Sequence, residues 1–257
     1  MTKGNADTPK GNNGHALTAI LSRWHPLTRE DRASLAEISA QEYRVSSGTD
    51  FIHRDDPVRD LPILQDGWAA QYRVMHDGRR FVLKLSLPGE VIDGCFPLRE
   101  PAQYSAEALT DVTLLLYPSD SLFHLVNENP RIAVAFFSLE TYQHSFLRNR
   151  VMALAGLNAY ERLGHLCLEL LTRLEILGMA ENDTFNLPVK QETLGELLGM
   201  HGVHINRMFR RLGADGFIAR NKKTIQVKDR EGLAQLVEFR KADIVEPSAI
   251  HTPSKYS

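Results

Sequence analysis

Three features of the 257-residue sequence predict an α+β chain: an N-terminal antiparallel β-roll of jelly-roll type, a long dimerisation helix, and a C-terminal winged helix-turn-helix. Between Tyr43 and Tyr117, short apolar-alternating segments are punctuated by Asp55-Asp56-Pro57, Asp66-Gly67, Asp77-Gly78, Pro88-Gly89 and Pro97, the signature of antiparallel strands joined by tight turns. From Pro130 to Leu157 the periodicity becomes helical without a break. From Lys190 to Leu212, KQETLGELLGMHGVHINRMFRRL, two short amphipathic segments meet at Gly199.

Taken in order, residues 1–15 are polar, rich in Gly and Asn, and read as a disordered tail. A roll domain is expected over 16–129. It opens with helical spacing at Leu17, Ile20, Leu21 and Trp24, a break at Pro26, and a second helix that Thr28 and Asp31 start, carrying Leu35 and Ile38. Asp77-Gly78, set between Gln71–Met75 and Phe81–Leu85, predicts a hairpin with positive φ at both turn residues. The dimerisation helix is assigned to 130–157. Ile132, Phe136, Leu139 and Phe146 form its stripe, which Leu147, Val151 and Leu154 continue; Gln143 and Arg150 interrupt a clean heptad. The DNA-binding domain is expected over 158–240. Asn158 with Glu161 makes a capping box, and Leu163, Leu166, Cys167, Leu170, Leu171 and Leu174 supply an inner face that Gly178 ends. After the helix-turn-helix, Phe217–Ala219 and Thr224–Val227 flank a cationic tip, Arg220–Lys223, which reads as a wing. Residues 241–257 are expected to be a tail.

In the second helix of the turn, Ile205, Met208, Phe209 and Leu212 share one side at about 100° per residue. Val203, Arg207, Arg210 and Arg211 fall opposite, flanked by His204 and Asn206. An apolar face seats such a helix while a cationic, hydrogen-bonding face meets double-stranded DNA. Gly195 permits close packing of the two helices, and Gly199 supplies the turn. Lys190 and Gln191 at the first helix and Lys222 and Lys223 in the wing complete the expected DNA-binding set, with Arg207 and His204 on bases, Val203 against a thymine methyl, and Arg210, Arg211 and the wing lysines mostly on phosphates. Charge supports this face: the whole chain carries −2, yet from 190 to 223 Lys/Arg at 190, 207, 210, 211, 220, 222 and 223 outnumber acids at 192, 196 and 215.

Cys95 and Cys167 lie far apart and form neither a disulfide framework nor a metal-ligand spacing. With no apolar run of membrane length and no signal-peptide core, a cytoplasmic protein without membrane contact is expected. No Gly-x-Ser-x-Gly elbow, Walker loop or His-Glu-x-x-His motif points to an enzyme. Glu90 and Asp93, beside a Pro-Gly turn, read as solvated acids rather than a catalytic pair.

The order of these parts resembles the Crp/Fnr superfamily of bacterial transcription regulators over about residues 17 to 240. The resemblance rests on Asp66-Gly67, Leu87-Pro88-Gly89-Glu90, Asn158-Ala159-Tyr160-Glu161-Arg162-Leu163, Leu194-Gly195-Glu196-Leu197-Leu198-Gly199 and Val203-His204-Ile205-Asn206-Arg207. It implies a homodimer on a near-palindromic operator, with RNA polymerase as a further partner and an unidentified small molecule as candidate effector. The candidate effector pocket is Gly89, Glu90, Asp93, Gly94, Arg99, Tyr104 and Ser105. Members that bind cyclic AMP carry Gly-Glu and then Arg-Ser, where this chain has Asp93-Gly94 and Tyr104-Ser105; the phosphate-pairing arginine is missing, so a subgroup that does not answer to cyclic AMP is expected. An iron–sulfur cluster would need N-terminal cysteines, and none precedes Cys95. Haem would need an axial ligand such as His76, Cys95 or His124, and His201 with His204 lacks a third metal ligand, so neither a cofactor nor a metal is expected. At the start of the recognition helix, Gly202 and Val203 stand where the best-known members place Arg and Glu. The helix matches instead a subgroup with Val-His-Val-Asn-Arg there, so the operator should differ from the best-known consensus. The competing reading is a ligand-binding regulatory module whose helix-turn-helix makes protein contacts.

Overall fold

The computed structural model of the chain describes residues 14–92 and 101–244. They pack as two compact units, one of residues 14–72, 85–92 and 101–143, the other of 73–84 and 144–244.

The first unit begins with helix α1 (Gly14–Ser22) packed on α2 (Arg29–Glu37). Helix thus starts inside the stretch expected to be tail. Gly14 is seated against α2, where a Cβ would fall 2.6 Å from the Ala36 Cα. Thr28 caps α2 as anticipated: its hydroxyl accepts from the Asp31 N–H while the Asp31 carboxylate accepts from the Thr28 N–H. Seven strands follow, β1 (Gln41–Val45), β2 (Asp50–Ile52), β3 (Asp60–Asp66), β4 (Ala69–Val74), β5 (Arg80–Ser86), β6 (Ser105–Ala108) and β7 (Val112–Pro118), of which the end of β4 and most of β5 fall within 73–84 of the second unit. They form two antiparallel sheets, ordered β1-β7-β3 and β2-β6-β4-β5. Val45, Leu64, Ala69, Ala106, Ala108 and Leu114 gather into a buried core cluster. Alternation is plain in β6, where Ala106 and Ala108 are buried and Ser105 and Glu107 are half-buried.

The hairpin between β4 and β5 forms where expected but with a different turn. Met75 and Arg79 close it, Met75 N–H donating to the Arg79 carbonyl at 2.9 Å, and of the turn residues Gly78 alone has positive φ (+83°). A three-residue loop needs a left-handed residue only at its last position, so Asp77 keeps an ordinary conformation.

Helix α3 (Ser119–Glu128) leads to α4 (Pro130–Gly156), the long helix. Its stripe corrects the sequence reading. Ile132, Phe136, Leu139 and Phe146 are buried within the chain itself, as are Gln143 and Arg150, while Val134, Phe137 and Val151 are exposed. The strongest apolar periodicity marks the face covered intramolecularly, and the residues that seemed to interrupt a heptad belong to that inner face.

The second unit is built on α5 (Ala159–Ile176), buried along most of its length. Asn158 Oδ1 accepts from the N–H groups of Tyr160 and Glu161, and Glu161 answers the Asn158 N–H at 2.9 Å. A buried ionic cluster ties α4 to α5. Arg150 Nη2 lies 2.7 Å from both Glu169 oxygens, Arg173 Nη1 lies 3.1 Å from one of them, and the Arg173 guanidinium stacks 4.2 Å from the Phe146 ring centre. Strand β8 (Thr184–Asn186), helices α6 (Gln191–Leu198) and α7 (Gly202–Ala214), strands β9 (Ile218–Asn221) and β10 (Thr224–Val227), and α8 (Arg230–Leu236) complete the unit. The wing is a three-stranded sheet, β8-β10-β9. Sequence patterning does not reveal β8, because three residues are too few to show alternation. Nor does the chain become tail at 241: Ile244 is buried, and the Asp243 carbonyl accepts from Asn149 Nδ2 at 3.2 Å.

Candidate nucleic-acid interface

Two glycines make the helix-turn-helix geometry. Gly199 closes α6 in the left-handed region, φ +67°, and its N–H donates to the Gly195 carbonyl. Gly195 itself sits against the turn. A Cβ there would collide with the Met200 carbonyl oxygen and lie 3.1 Å from the Gly202 nitrogen, so the first turn of α7 can approach only a glycine. Arg162, in α5, joins the helix ends. Its guanidinium donates to the carbonyls of Leu154, Leu157 and Leu198, at 2.8, 2.8 and 3.3 Å, holding the ends of α4 and α6 to α5. Spacing could not reveal this role, because all three acceptors are backbone atoms brought together by the fold.

Helix α7 then divides as its sequence predicts. Ile205, Met208, Phe209 and Leu212 are buried, whereas Val203 (83% exposed), His204, Arg207 and Arg210 face solvent and Asn206 is half-buried between the two faces. His204 and Arg207 are not independent: Arg207 Nη2 donates to His204 Nδ1 at 2.6 Å. Guanidinium only donates, so Nδ1 is the unprotonated nitrogen and the imidazole proton lies on Nε2. The pair therefore presents an Nε2 donor beside the remaining guanidinium donors, a set matched to acceptors on base edges.

Lys190, exposed, and Gln191, half-buried, stand at the start of α6. Arg211 is exposed as well, and it also engages the rest of the domain. Its guanidinium lies 4.5 Å from the ring centre of Tyr160 on α5 and 3.7 Å from Asp215, and the Tyr160 hydroxyl donates to Asp215 at 2.6 Å. Burial, together with the Asp215 carboxylate, pushes the Tyr160 hydroxyl up to about 12, so it keeps its proton. In the wing, Lys222 and Lys223 alone form the turn, since Arg220 and Asn221 pair in strand register with Ile225 and Thr224. Both lysines are exposed, and Lys222 adopts φ +52°.

In the candidate effector pocket, Asp93, Gly94 and Arg99 lie outside the described residues, as does Cys95. The other members serve the roll. Gly89 turns at φ +85°. Glu90 is buried (1% exposed) rather than solvated, because its carboxylate folds back to accept the Leu87 N–H at 3.2 Å. The Tyr104 hydroxyl and Gln71 Nε2 both donate to the Ile92 carbonyl at 2.6 Å, and Ser105 Oγ accepts from the Arg54 N–H. Among the described residues no three His, Cys, Asp or Glu side chains gather as a metal would need. His124 is engaged with Glu128 at 3.3 Å.

Comparison with known proteins agrees with this arrangement. Residues 42–129 match the cyclic nucleotide-binding domain, and residues 161–236 match the Crp-like helix-turn-helix domain. The chain is 27% identical over 210 residues to the HTH-type transcriptional regulator Cmr of Mycobacterium tuberculosis, covering 81% of this chain and 80% of that one. It is 26% identical over 210 residues to the nitrogen fixation regulation protein FixK of Bradyrhizobium diazoefficiens, with 80% and 87% covered. The structure of FixK2 from Bradyrhizobium japonicum superimposes with a TM-score of 0.68 at 21% identity, over 77% of this chain and 96% of that one. With a cyclic nucleotide-binding domain ahead of a Crp-like helix-turn-helix, the chain belongs to the Crp/Fnr superfamily and is a DNA-binding transcription regulator of that type.

Proposed function

We propose that the protein acts in the cytoplasm as a homodimer on a near-palindromic operator, each α7 entering one major groove. The observation that carries this reading is the division of α7, with Val203, His204, Arg207 and Arg210 open on one side and a fully seated apolar face on the other. Arg207, buttressed by His204, reads a base edge, and Val203 offers an apolar contact to a thymine methyl. Lys190, Arg210, Arg211, Lys222 and Lys223 neutralise phosphates, Arg211 from beside Tyr160 and Asp215. Dimerisation is supported by Val134, Phe137, Thr141, His144, Arg148 and Val151, which recur on α4 at heptad spacing; none of them is buried. The operator differs from the best-known family consensus because Gly202 and Val203 occupy its discriminating positions. The sensory site is degenerate or serves a different effector, since Tyr104 brings no cation and spends its hydroxyl on the Ile92 carbonyl. RNA polymerase is the expected protein partner.

Selection of bound fragments from genomic DNA, followed by titration of the recovered duplex, tests the reading. Arg207→Ala should weaken cognate binding by on the order of 1–3 kcal/mol and flatten preference at one base position. Unchanged affinity together with unchanged preference would overturn it.

A further inference from the structure

Arg220 lies in β9, outside the residues assigned to DNA, yet its side chain touches both parts of the reading surface. Its guanidinium carbon sits 4.3 Å from the centre of the Phe209 ring, and Phe209 is anchored in the buried face of α7. From that position Arg220 Nε donates to the Lys222 carbonyl at 3.2 Å. Lys222 is the turn residue at φ +52°, a conformation that residues with a Cβ rarely adopt, so a hydrogen bond to its carbonyl opposes relaxation of the turn. A single guanidinium thus lies over a ring of the recognition helix and hydrogen-bonds the wing turn. Lysine cannot do both, because an ammonium has neither plane nor fixed fork.

We propose that Arg220 is a positioning residue that sets the Lys222-Lys223 turn against α7, so that the two lysines reach backbone phosphates only while Arg220 holds it. The inference rests on the DNA-binding reading above. It differs from a direct phosphate contact by Arg220, which would add one neutralised phosphate and leave the lysines independent.

Fluorescence anisotropy, with a labelled duplex of a genomic fragment recovered by the wild-type protein, separates the two across a series of salt concentrations. In the wild-type background, Lys222→Ala with Lys223→Ala should reduce the log–log salt slope of the bound dimer by about four, close to one for each wing lysine of the two protomers. In an Arg220→Ala background the slope should already be reduced by about four, and removing the lysines should change it no further. Arg220→Lys should behave like Arg220→Ala, since charge without plane or fork does not restore the clamp. Phe209→Leu, which keeps an apolar filler but removes the ring face, should reproduce the loss and guards against misfolding in the arginine variants. A further fall of about four on removing the lysines from Arg220→Ala would overturn the inference. So would recovery of the full slope by Arg220→Lys, or lysine substitutions without effect in the wild type. If the wild-type protein itself binds no duplex in a salt-dependent way, the DNA-binding reading fails, and this inference with it.

Discussion

At the scale of single residues, the sequence distinguishes faces but not partners. Helical spacing places His204 and Arg207 among the readers, and the structure leaves both open. That Arg207 donates to His204 Nδ1 depends on side-chain torsions, which spacing does not encode. Arg211, one turn beyond Arg207, belongs to the cationic side by periodicity and stays exposed there, yet its guanidinium also lies over Tyr160, 51 positions earlier in sequence. Gly195 was legible as a packing glycine, and its surroundings explain why: the atoms a Cβ would meet are backbone and cannot move cheaply. Gly195→Ala should therefore destabilise by on the order of 1–3 kcal/mol, by the same overpacking that penalises an added methylene in a core. The urea midpoint measures the loss, and DNA affinity should fall with it as α7 is displaced.

Elements are held by interactions that composition misrepresents. Gln143 and Arg150 look like defects in an apolar helix, but Arg150 turns inward to meet Glu169. Burial pushes the Glu169 carboxyl up; Arg150 and Arg173 outweigh it and hold the group below its ordinary range. The folded-state value lies below the unfolded one, so this contribution to stability is complete above the ordinary carboxylate range. It is lost as pH falls through the folded-state value. Glu169→Gln leaves two buried guanidinium groups without their counter-charge and should cost about 3–5 kcal/mol, seen as a lower midpoint in denaturant. The acid limb of the stability–pH profile should shrink in the same variant, which distinguishes loss of the ion pair from simple loss of packing. Strands and caps followed sequence more closely. The Thr28 and Asn158 boxes are local in sequence, and the wing strands pair as alternation implies, apart from a turn two residues shorter than the cationic run.

For the whole molecule, the question is what covers the exposed side of α4. Phe137 is 73% exposed, with Val134 and Val151 also open on the same helix. A large ring left in water on a helix of coiled-coil spacing is costly alone and favourable against a second copy. Phe137→Glu should leave far-UV circular dichroism and the urea midpoint of the monomer nearly unchanged while reducing the mass measured by light scattering to that of one chain. Operator binding should weaken steeply, because two half-sites would no longer be read together. A variant that stays dimeric would place the interface elsewhere.

By itself the sequence determined the class of element at each place, the order of roll, long helix and winged helix-turn-helix, and the two faces of α7. These follow from period, turn chemistry and capping, which act over a few residues. Only the tertiary structure decided which apolar stripe of α4 is spent inside the chain, why Glu90 is buried, where Arg211 turns and what Arg220 joins. Each of those depends on groups far apart in sequence, and burial, hydrogen bonding and stacking are properties of the meeting rather than of either partner.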